Sequence, residues 1–469
     1  MKGFLSLHRP VHLVATLLTL FGLLLGTLAL SSLAYAKPQK GVMHPSVSLR
    51  PQYLYAGTAQ DTTFACQSST AAVRCYGPKQ IRTAYSIQPL LNGGITGAGR
   101  TIVIVDAYQS PTIANDLHVF DTLFNLNDPT LNIIAPDGLT PFNQSDPNQV
   151  GWAGEISLDV EWAHAVAPDA TIDLVLAKSN QDVDLLSALN YAIDHNLGDT
   201  ISQSFGEGET CVGPPESLIN GYHAAYRKAV LKGITVFASS GDQGAAQPTC
   251  NGSSFFLSAS FPADDPYVTG VGGTQLFADP TTGAYQHEVA WNEPQYQAAS
   301  GGGFSTIYPK PFYQYGIVPG KYRGIPDVAY NAAINGGVLT VWSTSGRGPN
   351  RVFIFGGTSA GSPQWAGITA LADQYAGKRI GFINPTLYLV IGRVPSFYKA
   401  TFHDITEGNN TFTGTDATGK PVTINGYQAK AGWDPVTGWG SPIVSKLVPL
   451  LAAFNFFTNA DWSKHSKNL

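Results

Sequence analysis

From Arg100 onward the chain alternates two hydrophobic rhythms. "RTIVIVDAY" is an unbroken apolar run of β type, and "NDLHVFDTLFNL" follows with apolar residues at helical spacing. The alternation continues through "TIDLVLA" (171–177), "DVDLLSALNYAIDHN", "TISQSFG", "SLINGYHAAYRKAVLKG" and "ITVFASSGD". Continuous apolar strands have no wet face. They predict an α/β fold with a mostly parallel, twisted sheet and helices on both faces. In such a sheet polar functional groups gather at the carboxyl ends of the strands. Asp242 sits just past "ITVFASS" and Ser359 just past "RVFIFGG", so both stand where a site is expected.

The N-terminus follows a different pattern. Lys2, His8 and Arg9 precede the uncharged stretch 13–30, and Ala34-Tyr35-Ala36 fits a small-x-small cleavage site. Residues 1–36 are expected to be a signal peptide. The apolar run is also long enough for an uncleaved membrane anchor, and either reading puts the bulk of the chain outside the cytosol. Residues 37–80 are polar and turn-rich, and read as a short leader or N-terminal arm. Residues 456–469 read as a polar tail.

Composition narrows the class. Charged residues make up 13% of the chain, against roughly 25% in ordinary soluble proteins. With only 27 Lys and Arg, little positive self-repulsion builds up as carboxylates protonate, which suits an acidic medium. A net charge of −5 without a basic run argues against a nucleic-acid partner. The cysteines are Cys66, Cys75, Cys211 and Cys250. They fit an oxidising compartment, and three pairings are possible. Cys66–Cys75 and Cys211–Cys250 are the expected pairs, because each flanks one loop-like segment. Neither Cys-x-x-Cys nor His-Glu-x-x-His occurs, so zinc has no support.

Three stretches carry candidate chemistry. "GGTSAGSP" places Ser359 between a strand and the expected helix "SAGSPQWAGITALADQYA". There it serves either as a plain helix cap or as a nucleophile whose oxyanion is met by free N–H groups and the helix dipole. In "GWAGEISLDVEWAHAVAPDA", Glu155 and Asp159 are four apart, about 40° on one helix face. Such a pair either decorates an exposed acidic face or, in a cleft, shares a proton and supplies a tuned base. His164 lies about 180° from Glu155 and cannot join it. Asp242, in a Ser-Gly-Asp turn, is either a loop cap or a protonated donor to an oxyanion. Gly357-Thr358-Ser359-Ala360-Gly361 also matches the Gly-x-Ser-x-Gly pattern of α/β-hydrolase esterases, with His403 as the available histidine.

Together these motifs, in this order, resemble the sedolisins, the serine-carboxyl peptidases with a subtilisin-like fold. The likeness covers roughly residues 76–450, and implies a peptidase domain over 81–455. It implies Ser359 as nucleophile, Glu155 as general base, Asp159 as its partner and Asp242 in the oxyanion site. "SQSFG" is similar to the family's substrate-holding strand, which implies Ser204, Phe205 and Gly206. "HDITEGNN" and "AKAGWDPVTGWGSP" resemble its paired metal-binding segments. They imply one calcium ion held by the carboxylates of Asp404 and Asp434 and the carbonyls of Ile405, Lys430 and Gly432, a hard-oxygen set that calcium prefers. This sequence departs from the family at three points. Gly356 stands where Ser is usual, Lys430 where Gly is frequent, and the stretch 37–80 where a large folded pro-domain is usual. The expected function is a secreted, acid-acting, monomeric peptidase on peptides or proteins, either endopeptidase or tripeptidyl-peptidase. A secreted esterase and a non-catalytic binding protein on the same fold are the alternatives.

Overall fold

The central sheet is built, in chain order, from β1 (Thr101–Ala107), β2 (Leu131–Ile134), β3 (Thr171–Ala177), β4 (Thr200–Gln203), β5 (Thr235–Ser239), β6 (Thr269–Ala278), β7 (Tyr285–Ala290) and β8 (Val328–Asn331). Its spatial order is β7-β6-β5-β4-β1-β3-β2, and β8 pairs with β6. Every pairing is parallel except β6 with β7. This is the sheet the apolar runs predict. β1, β3, β4 and β5 are almost wholly buried, because helices close both faces. The computed structural model describes residues 41–45, 53–61, 63–212 and 215–454. The expected signal or anchor, 1–36, and the tail, 456–469, lie outside the described residues.

The helices are α1 (Ile113–Phe124), α2 (Pro147–Val166), α3 (Asp182–Asp194), α4 (Pro215–Leu231), α5 (Gly361–Ala376) and α6 (Val444–Ala453). α2 and α5 pack together on one face of the sheet with α1 and α6 against them, while α3 and α4 pair on the other. α2 starts cleanly: the Asp146 side chain accepts the Asn148 N–H, and Pro147 occupies the first turn, where its missing N–H costs nothing. It is then buried on every side from Gly151 to Val166. An all-round buried helix needs apolar bulk, which Trp152 and Trp162 supply. Replacing either Trp with Ala would cost about 3–5 kcal/mol. Among the described residues no helix is long and apolar enough to cross a membrane.

A second, four-stranded sheet carries the nucleophile segment. Its order is Leu54–Thr58, Arg351–Phe355, Gly337–Val341, Cys75–Tyr76. Parts of the expected arm therefore pair with the main body, and the Cys66–Cys75 and Cys211–Cys250 disulfides form as expected. The stretch "TISQSFG" is divided in the structure: β4 ends at Gln203, and Phe205–Gly208 leaves to pair with Ser260–Phe261.

Candidate active site

Strand Arg351–Phe355 runs into two glycines that the geometry requires. A Cβ on Gly356 would lie 2.7 Å from Ile334 Cγ1 and 2.9 Å from the Ala332 carbonyl. Gly357 has φ +112°, a region that side chains avoid. The chain then makes one tight turn over Thr358–Ala360, and α5 begins at Gly361, two residues after Ser359. The Ser359 hydroxyl donates to the Ser204 carbonyl at 3.4 Å. Asp242 fixes the turn from the end of β5: its Oδ1 accepts the Thr358 N–H at 2.8 Å and the Thr358 hydroxyl at 2.9 Å.

Facing this turn, α2 presents Glu155 and Asp159, both with no exposed surface. Burial pushes both carboxyls well above the usual range, and the neighbouring Asp159 and Asp106 charges push Glu155 further. Ser359 is close enough to favour ionised Glu155, and Ser204 and Glu155 do the same for Asp159. No oxygen of Glu155 or Asp159 closes a hydrogen bond of good geometry here. The pair is thus fully buried beside the nucleophile turn, not a solvated acidic face.

Asp106 is a third member that the sequence analysis did not single out. It sits at the carboxyl end of β1, fully buried, and burial followed by the Asp159 charge raises it well above the ordinary carboxyl range. Its signal was present: an acidic residue closing a buried strand, in the position that drew attention to Asp242.

The histidines have other places. Among the described residues none hydrogen-bonds Ser359. His403, the base an esterase would need, stacks on Tyr285 at 3.8 Å, and burial lowers it to about 4. His164 points away from Glu155, its Nε2 lying 3.0 Å from Asp121 Oδ1. Of the expected substrate residues, Ser204 touches Ser359. Phe205 turns inward, 6.0 Å from the Trp152 ring. Gly206 lets Ser260–Phe261 approach, since a Cβ there would lie 2.7 Å from the Phe261 carbonyl.

The expected metal segments also meet. The Gly432 N–H donates to both Asp404 oxygens, at 3.1 and 3.2 Å, and the Lys430 N–H donates to Asp434 Oδ2 at 3.0 Å. Asp434 is buried, with Oδ1 held by the N–H groups of Val436 and Thr437, and Ile405 is buried beside Asp404 in the chain. Among the described residues no cluster of three or more His, Cys, Asp or Glu could hold a metal. A cation here would therefore need carbonyl oxygens to complete two carboxylates, which is the donor chemistry of the implied set.

The subtilase family model matches residues 147–385, just over half of the chain, from the start of α2 to beyond the nucleophile turn. The chain belongs to the subtilase family, in its sedolisin branch. Kumamolisin from Bacillus sp. (strain MN-32) is 33% identical over 401 residues, 83% of this chain and 66% of the relative. Sedolisin from Pseudomonas sp. (strain 101) is 29% identical over 398 residues, 81% of this chain and 62% of the relative. The structure of Pseudomonas sedolisin, a serine-carboxyl proteinase complexed with two molecules of pseudo-iodotyrostatin, superposes with a TM-score of 0.68. It is 27% identical and covers 82% of this chain and 100% of that one. The chain spans about two thirds or less of the curated relatives' length. Within the sedolisin branch, Gly356 now has a local reason. Ile334 and the Ala332 carbonyl occupy the space that a serine Cβ would need.

Proposed function

We propose that the chain is a serine-carboxyl peptidase acting in acid outside the cytosol. The observation that carries this reading is the convergence of Ser359, the buried Glu155–Asp159 pair and Asp242, with no histidine among the described residues bonded to the serine. Ser359 Oγ attacks the peptide carbonyl as Glu155 takes its proton. The carbonyl oxygen becomes an oxyanion, met by the Ser359 N–H and by protonated Asp242. Glu155 returns the proton to the leaving amine, which departs and leaves an acyl-enzyme. Water then repeats the sequence and frees the serine. Asp159 orients Glu155, and its charge tunes the proton affinity of that base.

The two carboxylates Asp404 and Asp434, with the carbonyls of Ile405, Lys430 and Gly432, would hold one calcium ion. A calcium ion there would supply charge compensation for buried Asp434 and tie two loops together, and takes no part in bond cleavage.

The test is a peptide-hydrolysis profile against pH on the folded chain. Activity should be greatest in acid, below the range of about 6.5 where imidazoles change charge, because the oxyanion donor Asp242 has to keep its proton. A maximum at neutral pH overturns the carboxylate-base reading.

A further inference from the structure

Beside α4, on the sheet face opposite α2 and α5, lies a cavity that shares no residue with the catalytic group. Its volume is about 450 Å³, within the range of small-molecule sites. Three segments enclose it: α4, the loop 265–267 that leads to β6, and the stretch 308–313 at the end of strand Gly303–Pro309. Its walls are mostly rings. Tyr267, Tyr308 and Phe312 line it, together with Pro266 and Pro311. The Tyr313 hydroxyl donates to the Pro266 carbonyl at 2.7 Å and ties the stretch 308–313 to the loop. The His223 ring lies 5.0 Å from Tyr267 and 5.5 Å from Tyr308, tilted by 34° and 27°. These walls are set before a ligand arrives, so little side-chain freedom is left to lose on binding.

The charge in this cavity has one sign. His223 and Arg227 are four apart on α4 and share a face, and Lys310 joins them from the stretch 308–313. The Lys310 ammonium is held in place, donating to the Val318 carbonyl at 2.6 Å. Asp265 is fully buried and already engaged: Oδ2 lies 2.7 Å from His223 Nδ1, and Oδ1 accepts the Tyr267 N–H at 2.8 Å. Burial works against a charged His223, but the Asp265 bond and charge outweigh it and raise the imidazole above its ordinary value. Arg227 pushes the other way. Cations gathered on apolar walls repel one another, and a bound anion relieves that repulsion. Two anion or ring ligands fit poorly. A neutral sugar needs side-chain acceptors, and among the described residues no Asp, Glu, Asn or Gln lines the cavity. A bare phosphate gains nothing from rings, and His223 and Arg227 lie well inside α4, away from its N-terminal N–H groups.

We propose that this cavity binds an aromatic carboxylate, its flat ring among Tyr267, Tyr308 and Phe312 and its carboxylate on Arg227, Lys310 and His223. A guanidinium fork matches a carboxylate, and a ring packs edge-to-face or offset on aromatic walls. The site is separate from the catalytic group and does not depend on the peptidase reading. Two sources share this chemistry: a free arylalkanoic acid, and a peptide chain that ends in Phe or Tyr.

The test is isothermal titration calorimetry on the full chain carrying Ser359→Ala, which leaves peptides uncut. At about pH 5, below the ordinary imidazole value of about 6.5, all three cations carry charge. Phenylpropionate should bind saturably, and phenylpropanol, which keeps the ring and lacks the charge, at least about tenfold more weakly. Arg227→Gln and Phe312→Ala, each added to the same chain and checked for folding by circular dichroism, should each weaken phenylpropionate at least about tenfold. The absence of saturable binding, equal binding of the alcohol, or parental affinity in either folded variant overturns the proposal. Competition then separates the sources. Displacement of phenylpropionate by Gly-Gly-Phe but not by its C-terminal amide assigns the site to peptide ends, and failure of both to displace it assigns the site to the free acid.

Discussion

Asp242 and Thr358 are joined twice, through the Thr358 N–H and its hydroxyl, both on Oδ1. The bond pair couples the end of β5 to the residue before the nucleophile. Asp242 thus has a structural duty as well as its proposed chemical one. Asp242→Asn keeps an acceptor for Thr358 and a donor for the oxyanion, and should retain much of the rate. Asp242→Ala loses both. It should lower kcat by about 10²–10³ and stability by about 1–3 kcal/mol. Steady-state kinetics with urea melts separate the two losses.

Glu155→Gln keeps the shape but cannot accept a proton, so turnover should fall by several orders of magnitude with the fold intact. His164→Ala should do the opposite. It leaves Asp121 buried without its imidazole partner and costs about 1–3 kcal/mol of stability, while activity per folded molecule stays close to that of the parent. His403→Ala should also preserve activity. Loss of catalysis in folded His403→Ala, with Glu155→Gln active, decides for the esterase.

Stability should be greatest in acid. Burial raises Glu155, Asp159, Asp106, Glu161, Asp264 and Asp373, and lifts Glu207 to about 10. A raised carboxyl binds its proton in the folded state after the unfolded chain has released it. Its contribution is complete below an unfolded value of about 4 and is lost as pH rises through the folded one. His44 and His403, lowered to about 4, work against this, since the unfolded imidazole gains a proton from about 6.5 downward. The buried carboxyls outnumber these imidazoles. Melting temperature should therefore be higher near pH 4–5 than at about pH 8. Glu207→Gln should flatten the decline above about pH 4.5. A melting temperature that climbs steadily to pH 8 contradicts this assignment.

Calcium should act on stability before it acts on rate. Its proposed ligands lie on loops and share no residue with the catalytic group. Chelation should lower the melting temperature by about 2 °C for each kcal/mol of binding linkage lost. Asp434→Ala should abolish that sensitivity in calorimetry. An unchanged calcium response in this variant means the site is misplaced.

Gly356→Ser should be unfavourable in this chain although serine is usual in the resembling family. The added Cβ meets Ile334 and a backbone carbonyl that cannot retreat, a cost of about 1–3 kcal/mol in a urea melt. Ile334→Ala, which removes the clashing Cγ1, should recover only part of it, because the Ala332 carbonyl and the Ile334 Cα remain 2.9 Å away.

The sheet and the α2 pair were legible in the sequence because each is a local pattern: unbroken apolar runs, and two acids one helical turn apart. Asp106 was missed because one acid at a strand end carries no spacing, and its meaning depends on β1 lying beside the strand that leads to Ser204. The arm was illegible for a related reason. His44 and Pro45 have no periodicity of their own, and their partners are more than 150 residues away. The structure also moved the start of the helix after Ser359 to Gly361, because the Gly357 backbone sets a tight turn first.

In the order β5-β4-β1, three neighbouring strands bring Asp242, Ser204 and Asp106 to one end of the sheet, Asp242 three residues past β5, Ser204 one past β4 and Asp106 the last residue but one of β1. Each of these residues lies at or just beyond a strand tip, while the buried runs behind them hold the architecture. The separation is incomplete at Asp242, which also holds the Thr358 turn. A combinatorial library confined to Asp106, Ser204 and Asp242 therefore samples strand tips that face the nucleophile turn, and at Asp106 and Asp242 it samples the stability of the fold at the same time.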